Sequence, residues 1–191
     1  MQPVHLVGLS GSLRAASLNT RVLHAVAELL PEGVTFTPLS IAGVPLYDED
    51  LRAQGMPAAV TELGAAVAAA DAVLICTPEY NYSVPGVLKN TLDWLSRMDP
   101  QPFRDKAVGI LGATPGMLGT ARAQYHLRQI LVFLDAHPVN KPEVMIGGAD
   151  KKLDAGGRLV DPVTRELVRK LVAAVAVHAR RLRAGSAALS A

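Results

Sequence analysis

The stretch AVLICTPEYNYSVPGVLKNTLDWLSR, residues 72–97, holds an apolar run, a polar loop and an amphipathic segment in direct succession. Its first five residues, 72–76, are all apolar, as expected of a strand that is buried on both faces. The loop that follows is rich in aromatic, amide and proline residues, and Pro85 stands at a favoured starting position for a helix. A buried strand followed by a loop and a helix is the repeating unit of a parallel α/β sheet. This stretch therefore decides the predicted fold.

The same alternation of apolar runs and helix-periodic segments continues on both sides of this stretch. Besides the strand that ends at Cys76, strands are predicted over residues 4–9, 34–39, 107–111 and 139–146. Helices are predicted over residues 17–30, 58–70, 85–98, 120–135 and 162–183, with an irregular connection over 43–57. Five apolar strands separated by helices predict an α/β fold: a doubly wound, five-stranded parallel sheet with helices on both faces. The flavodoxin-like strand order 2-1-3-4-5 is the leading choice.

Length and composition favour one domain in a reducing compartment. The chain has 191 residues without an internal repeat or linker, so we assign residues 1–184 to one domain and 185–191 to a frayed tail. The net charge of +2 does not indicate a nucleic-acid partner. Cys76 is the single cysteine, which suits a buried thiol in the cytoplasm. We expect neither a signal peptide nor a membrane span, because the apolar runs are too short.

The loop after the first strand is the first candidate for a binding site, because ligands of such sheets bind at the carboxyl ends of the strands. The loop offers hydroxyl, amide and guanidinium groups at a helix N-terminus: Ser10, Ser12, Arg14, Ser17 and Asn19. The N–H groups and the dipole of the helix favour an anion such as a terminal phosphate. A helix cap at Ser17 with Arg14 in solvent explains this loop equally well when it is taken alone.

The loop after the third strand favours the phosphate interpretation. Glu79, Tyr80 and Asn81 can present N–H groups and an amide to the edge of a planar ring, and Pro78 and Pro85 keep that backbone still. A phosphate site beside such a platform suits FMN better than NAD. The first loop has two glycines where the dinucleotide fingerprint needs three, and it lacks the Gly-Lys-Ser/Thr ending of a nucleotide P-loop.

Two motifs resemble the NAD(P)H-dependent FMN reductase family of flavodoxin-like enzymes. They are Gly-Ser-Leu-Arg-x-x-Ser-x-Asn at residues 11–19 and the run from Pro78 to Asn90. Residues 124–131 and 140–143 are similar to the quinone and chromate reductase branch, and the whole resemblance covers residues 4–147. It implies a tetrameric FMN enzyme that takes hydride from NAD(P)H and passes two electrons to quinones. It also implies adventitious reduction of azo dyes, chromate and ferric complexes.

The same resemblance assigns the cofactor contacts. The phosphate contacts that it implies are Ser12, Arg14, Ser17 and Asn19. The ring contacts that it implies are Pro78, Glu79, Tyr80 and Asn81.

The chemistry expected of this site belongs to the flavin, because the sequence shows no catalytic triad, paired carboxylates or metal-ligand cluster. We expect ping-pong turnover, with donor and acceptor using one place in succession. Backbone N–H groups of the loop 112–119 would offset negative charge on the reduced ring. The residues of this loop that we include in the site are Thr114, Pro115 and Gly116. We expect the proton that the quinone takes up to come from water, and Tyr80 or Tyr82 could assist in its transfer.

Two non-enzymatic alternatives remain open. A flavodoxin-like electron carrier would bind FMN and dock onto protein partners, but such carriers commonly use strong negative charge, whereas this chain has a pI near 8.8. A regulatory domain with a degenerate site would hold no flavin. The sequence decides neither the physiological acceptor nor the preference between NADPH and NADH.

The helices over 85–98 and 120–135 are more apolar than a monomer requires, which predicts a homo-oligomer, either a dimer or a tetramer. On the second of these helices, Arg122 and Tyr125 share a polar stripe. We expect both to meet Glu143, of the same or a facing subunit, at a polar seam near the flavin.

Overall fold

A computed structural model of the chain describes residues 2–189, and the side chains of residues 2–188. Its strands all pair in parallel, in the order β2-β1-β3-β4-β5, and β6 also pairs with β4. The flavodoxin-like order predicted from the sequence is therefore confirmed. The strands are β1 Val4–Ser10, β2 Val34–Leu39, β3 Ala72–Cys76, β4 Ala107–Ala113, β5 His137–Pro138 and β6 Val144–Ile146.

The sequence predicted one continuous edge strand over 139–146, and this was wrong. Two short pieces, β5 and β6, pair with opposite ends of β4, and the chain leaves the sheet between them. Pro142 lies in the gap, where it lacks a backbone N–H and restricts Lys141 before it. The edge strand is therefore interrupted.

Within residues 2–189, six α-helices connect and follow the strands. The first ends earlier than predicted and continues as a 3-10 turn over Val26–Glu28. The last ends later than predicted and includes residues 185–189 of the expected tail, whereas residues 190 and 191 lie outside the described residues. Within the described part of the chain, no helix is both long and apolar enough to cross a bilayer. The helices are α1 Leu18–Ala25, α2 Glu49–Ala53, α3 Ala58–Ala69, α4 Gly86–Leu95, α5 Ala121–Phe133 and α6 Pro162–Leu189.

The sheet separates two hydrophobic cores, because successive residues of a strand point to opposite faces. Along β1, Leu6 belongs to the core under α1 and α6, and Val7 to the core under α3, α4 and α5. Both residues are almost completely buried. Since helices cover both faces, polar loops gather at the ends of the strands, and the carboxyl ends carry the candidate site.

The backbone of Gly112 in β4 lies directly against two loops at that edge. A Cβ atom placed on Gly112 would lie 1.9 Å from Oγ1 of Thr120 and 2.4 Å from the carbonyl oxygen of Thr77. Both distances are far below an ordinary van der Waals contact, so only glycine allows the loops after β3 and β4 to approach this closely.

We predict that Gly112→Ala lowers the free energy of unfolding of the apoprotein by about 1–3 kcal/mol, because the added methyl group forces these loops apart. Urea unfolding followed by circular dichroism measures the change. The matched control is Gly86→Ala, since no atom beyond its chain neighbours and the adjacent backbone of α4 lies within 4 Å of the Cβ position at Gly86. Equal stability of the Gly112→Ala variant and the parent would contradict the packing argument.

Candidate functional site

The loop between β1 and α1 forms a compact group of hydrogen-bond donors. Ser12 and Ser17 are buried, and the Ser12 hydroxyl accepts the N–H of Arg14 at 3.3 Å. The Ser17 hydroxyl caps α1 by accepting the N–H of Thr20 at 3.2 Å. The cap proposed as the simpler interpretation of Ser17 is therefore present. The other N–H groups at the start of α1 have no acceptor within the helix, as at every helix start.

Arg14 is exposed beside this helix N-terminus. Among residues 2–188, no side chain or carbonyl pairs with its guanidinium group. An unpaired guanidinium next to free N–H groups is a favourable environment for a phosphate, because both contribute charge-assisted donors.

Asn19 joins three parts of the site through its buried side chain. Its Oδ1 accepts the N–H of Ala113, and its Nδ2 donates to the carbonyl of Ala113, both at 2.9 Å. The thiol of Cys76 also donates to Oδ1, at 3.4 Å. The start of α1 is thereby connected to the ends of β3 and β4. Any phosphate contact at this position falls to the backbone N–H of Asn19, since its side chain is engaged here.

Burial raises the pKa of the Cys76 thiol, which therefore stays protonated. The expectation of a buried structural thiol at Cys76 agrees with its complete burial.

The loop between β3 and α4 contains a tight two-residue turn. Tyr80 and Ser83 exchange N–H···O hydrogen bonds of 3.0 Å in both directions. Between them, Asn81 and Tyr82 have φ values of 49° and 69°, as a hairpin turn of type I′ requires. Tyrosine is uncommon in this left-handed region, and such strain concentrates at functional sites. The turn leaves both tyrosine rings largely exposed.

The carboxylate of Glu79 caps α5 from outside that helix. Its Oε2 accepts the N–H groups of Arg122 and Ala123 at 3.1 and 3.2 Å, and its Oε1 forms a salt bridge with the guanidinium of Arg122. The position before the helix, Thr120, has a φ of 69° and provides no side-chain cap. A carboxylate at this end is also favoured by the helix dipole. No local sequence pattern indicates this contact, which joins residues 43 positions apart.

The predicted polar seam is present only in part. The hydroxyl of Tyr125 donates to Oε1 of Glu143 at 2.8 Å, and Lys141 donates to its other oxygen at 3.1 Å. The hydrogen bond to Glu143 raises the pKa of Tyr125, and the bonds from Tyr125 and Lys141 lower the pKa of Glu143. Within one chain Arg122 does not join the seam, because its guanidinium is engaged by Glu79.

The loop between β4 and α5 is held by the segment after β6. The N–H of Thr114 donates to the carbonyl of Ile146, and the N–H of Ala149 donates to the carbonyl of Thr114, both at 3.0 Å. The buried amide of Gln124, which begins the motif over residues 124–131 but was not predicted as a site residue, donates to the carbonyl of Val144 at 3.1 Å. Met117, at the tip, remains 95% exposed. Hydrogen bonds therefore hold both ends of the loop between β4 and α5, while the tip of this loop is exposed to solvent and accessible to a ligand.

These three loops surround a groove made of two adjoining cavities of about 90 and 300 Å³. Glu79 and Thr114 line both cavities. The predicted residues that line the groove are Ser12, Arg14, Ser17, Asn19, Pro78, Glu79, Tyr80, Thr114, Pro115 and Gly116. Two of the predicted cofactor contacts do not: Ser10 lines a separate cavity of about 230 Å³ beside Ser12, and Asn81 lies in the turn at the rim. Tyr82, predicted to assist proton supply, does not line the groove either.

The groups around the groove fit FMN. One end offers the start of α1, two serine hydroxyls and the guanidinium of Arg14, which suit a phosphate. The rest of the groove lies between the loop after β3, which carries proline and aromatic residues, and the loop after β4, which can offer backbone N–H groups. These two loops suit a flat ring with polar edges. Fold and groove together define a flavodoxin-like flavin oxidoreductase.

Comparison with known proteins agrees with this class. Residues 4–151 match the model of the family described as NADPH-dependent FMN reductase. The chain belongs to this family, and it is therefore an oxidoreductase that uses FMN together with NAD(P)H. The resemblance stated from the sequence motifs is confirmed.

Several relatives match over most of their length. An NAD(P)H-dependent FMN reductase of Pseudomonas aeruginosa is 52% identical over 180 residues, which cover 94% of this chain and 97% of that protein. A quinone reductase of Escherichia coli is 47% identical over 169 residues, covering 87% of this chain and 86% of that protein. Among solved structures, a flavoenzyme NAD(P)H:(acceptor) oxidoreductase from Paracoccus denitrificans superposes with a TM-score of 0.83 at 32% identity. That match covers 93% of this chain and 98% of the other.

We predict that Arg14→Ala weakens FMN binding at least about fivefold, because a hydrogen bond to a charged group contributes about 1.5–3 kcal/mol and exposure screens part of it. Fluorescence titration of the apoprotein with FMN measures the affinity. Arg169→Ala, in α6, is the control for loss of one exposed positive charge. Unchanged FMN affinity in Arg14→Ala would show that Arg14 does not contact the phosphate.

Proposed function

We propose that this enzyme passes two electrons from NAD(P)H to quinones by a ping-pong mechanism, with FMN held in the groove described above. The observation that carries the proposal is the single groove formed by the three loops, with an anion-binding end and an open aromatic rim. A single rim favours successive use by donor and acceptor. The similarity to a quinone reductase supports quinones as the acceptor class.

The residues around the groove would divide the binding of FMN between them. Ser12, Arg14 and Ser17, with the first turn of α1, would hold the phosphate, whereas Pro78 to Asn81 would line the ring. When bound, FMN supplies the hydride and electron-transfer chemistry. Backbone N–H groups near Gly116 would lower the free energy of negative charge on the ring system.

Proton supply does not require a dedicated acid. The exposed hydroxyls of Tyr80 and Tyr82 stand at the rim with water, and either can donate or relay a proton. The open rim also suits acceptors of other shapes. We therefore include chromate, azo dyes and ferric complexes as adventitious acceptors, and the lone thiol Cys76 suits a cytoplasmic enzyme.

Steady-state kinetics of the FMN-loaded protein test the proposal. With NADPH or NADH as donor and menadione as acceptor, we predict sustained oxidation of the nicotinamide without an added protein partner. Double-reciprocal plots at several menadione concentrations should give parallel lines. Intersecting lines would contradict ping-pong turnover, while absence of turnover in a flavin-loaded protein would favour an electron carrier. A protein that holds no FMN would favour a regulatory domain.

We also propose that the chain forms a dimer or tetramer through the outer face of α5. Val132 and Phe133 on this helix are 76% and 75% exposed, and Tyr125 and Glu143 form a hydrogen-bonded polar pair beside them. Exposed apolar side chains beside a paired polar group are typical of a self-complementary interface. In such an interface Arg122 of a facing subunit could reach Glu143.

We predict that the parent sediments as a dimer or tetramer in analytical ultracentrifugation and that Phe133→Ser shifts the distribution to smaller species. Glu143→Ala should also shift the distribution to smaller species, but by less. The ion pair that Glu143 forms with Lys141 lies at the surface, where such pairs contribute little to stability. Val163→Ser is the control, since Val163 is an equally exposed apolar residue on a different helix, α6. A monomeric parent would refute the assembly.

A further inference from the structure

A cavity of about 450 Å³ lies between α6 and the edge segment 138–141. Its floor is a stretch of α6 with small apolar side chains, Ala173, Ala174 and Val177. β5 pairs with the first two residues of β4, whereas the groove lies at the other end of that strand, roughly 15 Å along it. The cavity shares no lining residue with the groove, so the proposed function makes no use of it.

Hydrogen bonds hold the wall of this cavity in place. The N–H of Val139 donates to the carbonyl of Val108 in β4 at 2.8 Å. The guanidinium of Arg128 in α5 donates to the carbonyl of Val139 at 2.9 Å and to the side-chain oxygen of Asn140 at 3.1 Å. The wall is therefore attached both to the sheet and to α5. A ligand would enter a preformed site and would not have to order this segment.

The ionisable side chains that line the cavity are all basic. His178 and Arg181 lie about one turn apart on α6, Lys141 lies on the opposite wall, and no acidic residue lines the cavity. Lys141 pairs at 3.1 Å with Glu143, which lies outside the lining. Among residues 2–188, no carboxylate forms a salt bridge with His178 or Arg181. The α6 side of the cavity thus has two basic groups without a counter-charge.

These basic groups disfavour protonation of His178. Burial lowers the pKa of His178, and the charges of His137 and Arg181 lower it further. The ring centroid of His137 lies 6.1 Å from that of His178, and its Nε2 lies 3.4 Å from the carboxylate of Asp105. An anion in the cavity would attract the proton that burial and the neighbouring charges disfavour. Binding of an anion and protonation of His178 would therefore favour each other.

We propose that this cavity binds an organic carboxylate with a small apolar body. The carboxylate would pair with Arg181 and with protonated His178, and the body would cover the apolar floor on α6. Val177 of this floor is 43% exposed, so covering it removes apolar surface from water. The volume of the cavity lies in the range of small-molecule sites. An inorganic anion would leave the floor exposed, which favours an amphiphilic ligand.

Isothermal titration calorimetry of the FMN-loaded protein with 2-naphthoate, in phosphate-free buffer, tests this proposal. Neutral 2-naphthamide, which has the same ring system without the charge, and inorganic phosphate, which has no apolar body, are titrated separately. The variants are Arg181→Gln, His178→Gln and Ala173→Leu, the last of which fills the cavity without changing its charge. Arg169→Gln is the matched control, because Arg169 lies on the same helix but pairs with Glu166 and does not line the cavity.

We expect 2-naphthoate to bind the parent more tightly than 2-naphthamide does. Arg181→Gln and Ala173→Leu should each raise its Kd by about three- to tenfold, whereas Arg169→Gln should match the parent. The affinity of the parent should rise as the pH falls from about 8 to about 5.5, because protonation of His178 adds a positive charge, and His178→Gln should reduce this rise. The flavin absorbance should not change, since the cavity lies away from the groove.

Equal Kd values for the parent, Arg181→Gln and Ala173→Leu would overturn the inference. Equal affinity for 2-naphthoate and 2-naphthamide, or no binding of 2-naphthoate at millimolar concentration, would overturn it as well. If inorganic phosphate bound as tightly as 2-naphthoate, the cavity would hold an adventitious ion only. A flavin absorbance change that saturates with the same Kd would place the ligand in the groove instead. A pH dependence unchanged in His178→Gln would contradict the role of the basic pair on α6.

Discussion

The amide of Asn19 is the contact on which the geometry of the site depends. Because it accepts from and donates to the same residue, Ala113, it holds the end of β4 at a fixed distance from the start of α1. The side chain is buried, so these hydrogen bonds form in surroundings where an unpaired amide would cost about 1–3 kcal/mol. The end of the groove at α1 and the wall formed by the loop after β4 are therefore coupled to each other.

The other wall of the groove is fixed by electrostatics. Glu79 places a negative charge at the start of α5, where the helix dipole and two N–H groups favour it. The start of α1, by contrast, has a neutral serine cap, and the nearby guanidinium of Arg14 has no partner among residues 2–188. Of these two helix starts, one is already neutralised by the protein and the other is available to a ligand. This difference makes the two ends of the groove electrostatically distinct, and it is the reason for proposing the phosphate site at α1.

A fixed groove of this kind suits an enzyme whose cofactor carries the chemistry. The protein has only to hold a flat molecule, keep its phosphate paired and leave one side open. Backbone conformation shapes much of the groove. The contributing features are the Ser17 cap of α1, the tight turn with two left-handed residues after β3, and Gly112, which permits close contact of two loops. Variation at the rim can then change the acceptor without altering the cofactor site.

The sequence by itself determined the sheet order and the three loops that form the site, because apolar runs and helical periodicity depend on neighbouring residues. It also indicated most of the residues that line the groove, since polar and aromatic groups after buried strands stand out locally. Only the tertiary structure showed that Glu79 caps α5, that Arg122 pairs with Glu79 and not with Glu143 of the same chain, and that the Asn19 side chain binds Ala113. Each of these contacts joins residues 43 or more positions apart, and partners at that distance are chosen by packing, which no local pattern records. The break in the edge strand was missed for a related reason. The apolar residues over 139–146 fit a continuous strand, but the pairing with β4 is interrupted around Pro142.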